Sequence, residues 1–177
     1  MSYQSFEQVL QKCHTEEKEF WRVILEDDMA ERNVSEEDSM EHMRATWDAM
    51  LLAAATYEGN LNSSSGLVGG DGRRMEEYIR SAQTKSLCGE YVDTCIAGAL
   101  QMGESNACMK RIVAAPTAGA CGVLPAVLVP YFQKRCKDTD KILKAMYVAA
   151  GIGQIIATRS SISGAAGGCQ AEIGAAS

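Results

Sequence analysis

Apolar positions recur at helical spacing from near the start of the chain. Phe6, Val9, Leu10 and Cys13 fall on one stripe of a 3.6-residue helix, and Phe20, Val23 and Ile24 on another, so residues 4–32 read as one or two helices. Asn33-Val34 breaks the pattern. Ser35 with Asp38 has the form of a capping box, with a shorter acid than usual. Met40, Met43, Trp47, Met50 and Ala54 then make a clear stripe whose methionines suit core packing. Gly59 is expected to end that helix. A polar, glycine-rich stretch runs to about Arg73. Residues 74–103 read as two helices broken near Ser86: Tyr78 and Ile79 face inward on the first, and Tyr91, Cys95, Ala99 and Met102 on the second. Residues 105–115 read as a linker, with a short extended piece at 109–114. A helix over 121–136 follows, with Pro125 tolerated in its first turns and Pro130 expected to kink it or mark its real start. Asp138 or Thr139 caps a last long helix that packs through Ile142, Met146, Ala149, Ala150, Gly153 and Ile156. Gly151 and Gly153 each cost a helix about 1 kcal/mol against alanine, which points to close helix–helix approach or a break there. No alternating strand pattern exceeds four residues. The predicted fold is all-α, a single domain over residues 1–177, with Gly/Ser-rich loops carrying the chemistry.

Composition narrows the class. The chain has 177 residues, 46% apolar and 23% charged, which is ordinary for a globular domain. A net charge of −6 argues against nucleic acid as a partner. The acid is concentrated: residues 1–50 hold 13 Asp and Glu against 5 Lys and Arg. No membrane span or signal peptide is visible, because the most apolar run, 123–131, is short and interrupted by proline. Seven cysteines without a secretion signal fit a reducing cytoplasm. None forms a Cys-x-x-Cys pair, and the two histidines, His14 and His42, sit among charges and read as surface residues, so a zinc site is disfavoured.

The chemistry gathers in two stretches. Ala114-Ala115-Pro116-Thr117-Ala118-Gly119-Ala120-Cys121-Gly122-Val123-Leu124-Pro125-Ala126 is a small-residue turn feeding a helix, with Thr117 as a capping residue and Cys121 at the junction. A thiol at a helix N-terminus is expected to have a lowered pKa and to suit a soft metal. Ser160-Ser161-Ile162-Ser163-Gly164-Ala165-Ala166-Gly167-Gly168-Cys169-Gln170-Ala171-Glu172 repeats the style, with hydroxyls and glycines leading into a cysteine. Earlier, Asn62-Ser63-Ser64-Ser65-Gly66-Leu67-Val68-Gly69-Gly70-Asp71 reads from composition as a flexible connector, although hydroxyls and exposed amides of this kind can also hold a carboxylate. These three stretches, with Ser105-Asn106-Ala107 and Ile112-Val113, resemble in order and content the α chain of the iron–sulfur-dependent bacterial L-serine dehydratases.

The resemblance covers roughly residues 60–177 and implies an L-serine ammonia-lyase that converts L-serine to pyruvate and ammonia with a [4Fe–4S] cluster. It implies Cys121 and Cys169 as cluster ligands, with a third expected beyond Ser177 and Cys108 and Cys136 as fallback candidates. It points to Ser63, Ser64, Ser65 and Gly66 for the substrate carboxylate, with Thr117, Ala118 and Gly119 next and Asn106 as a hydrogen-bond donor. Asp71 and Glu172 are the candidate bases by motif, though either could instead cap a helix. The resemblance also implies a separate β chain in an oligomeric enzyme; the acidic helices before residue 60 are expected to contribute to a subunit interface. Gln170 to Ser177 opens like a helix without room to continue, so the chain is expected to be truncated. Pyridoxal phosphate is disfavoured, because Lys110 runs into Arg111-Ile112-Val113 rather than a glycine-rich phosphate cup. The competing class is a non-catalytic helical scaffold with inert cysteines, in which the glycines serve packing.

Overall fold

The structure is a computed structural model that describes residues 3–81 and 86–177. Among these the fold is all-α: α1 (Phe6–Glu16), α2 (Phe20–Arg32), α3 (Glu36–Ala55), α4 (Asp71–Arg80), α5 (Glu90–Ala107), α6 (Val123–Tyr131), α7 (Thr139–Arg159), α8 (Gly164–Gly167) and α9 (Cys169–Ala176). A 3₁₀ turn, Ala118–Ala120, precedes α6, and a π-helical turn, Phe132–Cys136, follows it. No described helix is long and apolar enough to cross a membrane.

The capping box of α3 is present. Ser35 Oγ accepts from the Asp38 amide while the Asp38 carboxylate accepts from Ser35 N–H. The Met40, Met43, Trp47, Met50 and Ala54 stripe faces inward and packs with Val129, Ile142, Leu143 and Met146. A second core joins Val9, Val23, Ile24 and Leu25 to Tyr147 and Ile155. Gly151 does permit close approach: a Cβ there would lie 2.6 Å from the Ile24 side chain, so glycine lets α7 seat on α2. Gly153 has open space instead. His14 and His42 are exposed. Much of the N-terminal acid is paired locally, Glu26 with Lys18 and Arg22 and Asp28 with Arg32. Such partly exposed pairs contribute little stability each.

Several expected boundaries moved. The helix expected to end at Gly59 stops at Ala55, with Thr56 returning its hydroxyl to Leu52 O. The break near Ser86 is real, and the Ser86 hydroxyl bonds Asp93 at the start of α5. Cys88 lies before α5 begins and is exposed, whereas Cys95 lies within α5 and is half-buried. The inward face of α5 is set by α4 on one side and α6 on the other. It therefore buries Asp93, Ala97, Met102, Glu104 and Ser105, while Ala99 is exposed. The expected linker from 105 is still helix to Ala107, and residues 110–114 have no regular structure. The expected helix over 121–136 is divided. α6 runs through Pro130, and the i→i−4 ladder that proline interrupts gives way to the π turn two residues on.

Candidate active site

The two cysteine motifs meet. Thr117 leads into the 3₁₀ turn, whose Ala120 and Cys121 amides donate to Thr117 and Ala118 carbonyls. α9 packs on this turn and brings Glu172 to it. Glu172 Oε1 accepts from Gly164 N–H at 2.9 Å, which ties α9 to the one-turn α8. Its other oxygen lies over Gly119. A Cβ on Gly119 would fall 2.1 Å from Glu172 Oε2, and one on Gly164 would fall 3.0 Å from the same carboxylate. Both glycines are therefore places where a carboxylate rests on bare backbone. Asn106, on the last turn of α5, donates from Nδ2 to Ala118 O at 3.1 Å and holds the turn from the other side. Asn106, Ala118, Gly119, Gly164 and Glu172 thus form one junction.

Thr117 adopts the extended backbone of an N-cap, but its side chain makes no cap bond. Its Oγ1 is buried without a hydrogen-bond partner. An orphan hydroxyl of this kind costs about 1–3 kcal/mol unless something supplies a partner, and it borders the junction.

Cys121 departs from expectation. It is 2% exposed, packed with Ala53 and Met102, and its thiol points to Met102 O at 3.8 Å. Burial pushes the thiol pKa up, against a weaker opposing backbone hydrogen bond. The helix-terminus argument fails because Cys121 precedes α6 by two residues and desolvation outweighs the dipole. Cys169 begins α9 and is exposed. We therefore expect iodoacetamide at neutral pH to alkylate Cys169 in the folded chain while Cys121 reacts only on unfolding or well into alkaline pH. Mass spectrometry of the modified peptides reads this, and early labelling of Cys121 would contradict it. Cys108 is half-buried at the end of α5, and the Cys136 thiol points to Asp138 O.

The serine loop is closed largely on itself. Ser63 N donates to Val68 O at 2.8 Å, Val68 N returns to Ser63 Oγ at 3.1 Å, and Gly66 N donates to Ser63 O at 2.9 Å. Ser63 and Ser65 hydroxyls share a hydrogen bond. Gly66 has φ of +71°, which suits glycine. Ser64 and Ser65 are both exposed, but Ser65 Oγ bonds Ser63 Oγ and the Leu67 amide, so of the three serines the Ser64 hydroxyl is the most open to a ligand. Asp71 is the first residue of α4, and its carboxylate pairs with Arg74 at 2.9 Å on the surface. It serves the helix terminus, not the junction.

Two residues of structural weight escaped the sequence reading. Glu104 and Tyr57 hydrogen-bond to each other, and Glu104 also accepts from the first amides of α4. The available signal was a carboxylate at 104 on the face that carries Ala97 and Gln101. Two cavities, of about 290 and 320 Å³, lie away from the junction's polar groups. The larger sits against Val113–Pro116 and is walled by Leu124, Met146 and alanines, poor surroundings for a zwitterion.

The serine dehydratase alpha chain family matches residues 15–177. The chain belongs to that family. It is similar to the probable L-serine dehydratase, alpha chain, of Bacillus subtilis (strain 168), with 36% identity over 155 residues, covering 88% of this chain and 51% of that one. It is 33% identical to the L-serine dehydratase, alpha chain, of Peptoniphilus asaccharolyticus, covering 96% and 58% of the two chains. With the L-serine dehydratase of Haemophilus influenzae (strain ATCC 51907 / DSM 11121 / KW20 / Rd) the identity is 32%, covering 98% and 39%. The chain spans about half the length of the curated relatives it matches. No solved structure matches it. Among the described residues no group of three His, Cys, Asp or Glu side chains could hold a metal ion. One buried thiol and one exposed thiol do not by themselves make a site for the cluster that the serine dehydratase resemblance implied.

Proposed function

We propose that this chain carries the serine-binding and proton-abstracting part of an L-serine ammonia-lyase. Relatives named L-serine dehydratase match it along nearly its whole length, and that observation carries the reading. The Glu172 junction adds a chemically suitable group to it. Dehydration removes the Cα proton of serine and expels the β-hydroxyl with its bonding pair. The resulting 2-aminoacrylate tautomerises to an imine and hydrolyses to pyruvate and ammonia. Glu172 is the base in this reading. One oxygen is anchored by Gly164 N–H, and the other, resting on the bare backbone of Gly119, is the one assigned to take the Cα proton. The unpartnered Thr117 hydroxyl and the Ala118 and Gly119 amides bind the substrate there, the Ala120 and Cys121 amides being used within the turn, and Asn106 keeps the turn in place. Ser64 meets the carboxylate through its exposed hydroxyl, while Ser63, Ser65 and the Gly66 amide keep the loop closed.

The cofactor of this proposal is a [4Fe–4S] cluster, with Cys121 and Cys169 as two ligands and the third from outside residues 1–177. Such a cluster with one open iron supplies a Lewis acid for the departing hydroxyl. The partner of the proposal is a β chain, with the acidic N-terminal helices contributing to a subunit interface. The enzyme works in the cytoplasm, where thiols stay reduced.

One observation favours the scaffold reading: Cys121 is buried and closed against Met102 O. Anaerobic reconstitution of the chain with its β chain, followed by iron, sulfide and pyruvate assays, separates the two. The lyase reading expects pyruvate from L-serine, and loss of both iron and activity in Cys121→Ser and Cys169→Ser. If both variants keep the parent's iron content and turnover, these cysteines are packing residues and the cluster assignment falls.

A further inference from the structure

Glu104 is a carboxylate only 2% exposed, on the inner face of α5, and the proposed chemistry does not use it. Its Oε1 accepts from the amides of Asp71 and Gly72, the first two residues of α4, at 3.1 Å for Gly72. Its Oε2 accepts from the Tyr57 hydroxyl. First-turn amides have no acceptor within their own helix, and a charged acceptor makes strong bonds to them. Burial, and then the bond to Glu104, push the Tyr57 hydroxyl pKa up and keep it a donor. Gly72 makes the contact possible: a Cβ there would lie 2.7 Å from Gln101 Cγ and 2.8 Å from Tyr57 Oη. Only glycine lets α4 come near enough to α5 for its amides to reach the carboxylate.

Tyr57 and Asp71 flank the segment that contains the serine loop. One buried carboxylate therefore ties the entrance of that segment to its exit. Two residues further along α5, Asn106 holds the 3₁₀ turn through Ala118 O. The last turn of α5 is thus the common anchor of the serine loop and of the cysteine-bearing turn.

We propose that Glu104 is a positioning residue: by tying Tyr57 to the first turn of α4, it sets where the serine loop stands relative to the 117–121 turn, and so how the substrate carboxylate is met. This rests on the reading that the serine loop contacts substrate, but the tie is tested apart from it. Hydrogen exchange on the chain reads the tie directly. Glu104→Ala is expected to lower protection of the Asp71 and Gly72 amides, and of the Ser63 and Gly66 amides in the loop, by about tenfold or more. Glu104→Gln is expected to keep most of it, because its carbonyl oxygen still accepts from both α4 amides. Tyr57→Phe should fall between. In the assembled enzyme Glu104→Ala is expected to raise KM for L-serine about tenfold with a smaller change in kcat, and Glu104→Gln to recover KM. A purely structural role would reduce the active fraction and kcat and leave KM alone. Unchanged loop protection in Glu104→Ala, or a loosened loop with unchanged KM, overturns the proposal. If the parent enzyme turns over no serine, the lyase reading is what fails, and the exchange result still decides the tie. Should Glu104→Ala not fold, Gly72→Ala, which forces α4 off α5, and Tyr57→Phe carry the same readouts.

Discussion

Glu172→Gln is expected to lower kcat for serine deamination by about 10²–10⁴-fold, the usual contribution of a positioned general base. The substitution is nearly isosteric. A glutamine carbonyl still accepts from Gly164 N–H, so the tie between α8 and α9 and the contact on Gly119 survive. What is lost is basicity, and with it the means of taking the Cα proton. The melting temperature should therefore stay close to the parent's while turnover collapses. Gly119→Ala is the steric counterpart. Its Cβ would sit 2.1 Å from Glu172 Oε2 and must displace the carboxylate, so it too should cost activity, though with some loss of stability. Steady-state kinetics beside thermal melts distinguish the cases. Parent-like kcat in Glu172→Gln would remove Glu172 as the base. A fall in melting that accounts for the whole loss of activity would make it a strut between the motifs.

Trp47→Ala is expected to cost about 3–5 kcal/mol of unfolding free energy, the range for deleting a buried large aromatic. Trp47 is 0% exposed, on the stripe by which α3 meets α6 and α7. Its ring meets Phe132 edge-on at 5.6 Å between centroids. Trp47→Phe should cost much less. The indole Nε1 is buried without a hydrogen-bond partner, so removing it relieves a penalty of about 1–3 kcal/mol that partly offsets the smaller cavity. Urea denaturation of the three proteins measures this. Near-equal losses for the alanine and phenylalanine variants would mean that the indole nitrogen is satisfied, for instance by water.

Where the pattern was long and periodic, the local and tertiary signals agreed. α3 with its capping box, the Ile142 and Met146 face of α7, the close approach at Gly151 and the separation of α4 from α5 were all legible, because a 3.6-residue stripe has one way to bury itself. α5 was legible as a helix but not in its orientation. Small residues on several sides leave the buried face undetermined until α4 and α6 pack against it. The candidate site was legible as two motifs, yet nothing local says that Glu172 closes onto Gly119, since that contact joins segments some fifty residues apart in the chain. The family itself could be read from the same motifs.

The all-α class, the principal helices, the small-residue turns and the family to which they point are all readable from the order of residues along the chain. The state of the groups in them depends on packing between elements. Cys121 sits at the kind of position that should favour thiolate, but packing against Ala53 and Met102 removes it from water and reverses the sign. Asp71 and Glu172 were equivalent on the page of the sequence. Folding pairs the first with Arg74 at the surface and sets the second on the junction of the two motifs. Glu104 and Tyr57 had no motif at all, because their partners are backbone amides and a hydroxyl brought in by other elements. Helical periodicity records which side of an element avoids water, whereas charge state and hydrogen-bond partners depend on what arrives from elsewhere in the chain.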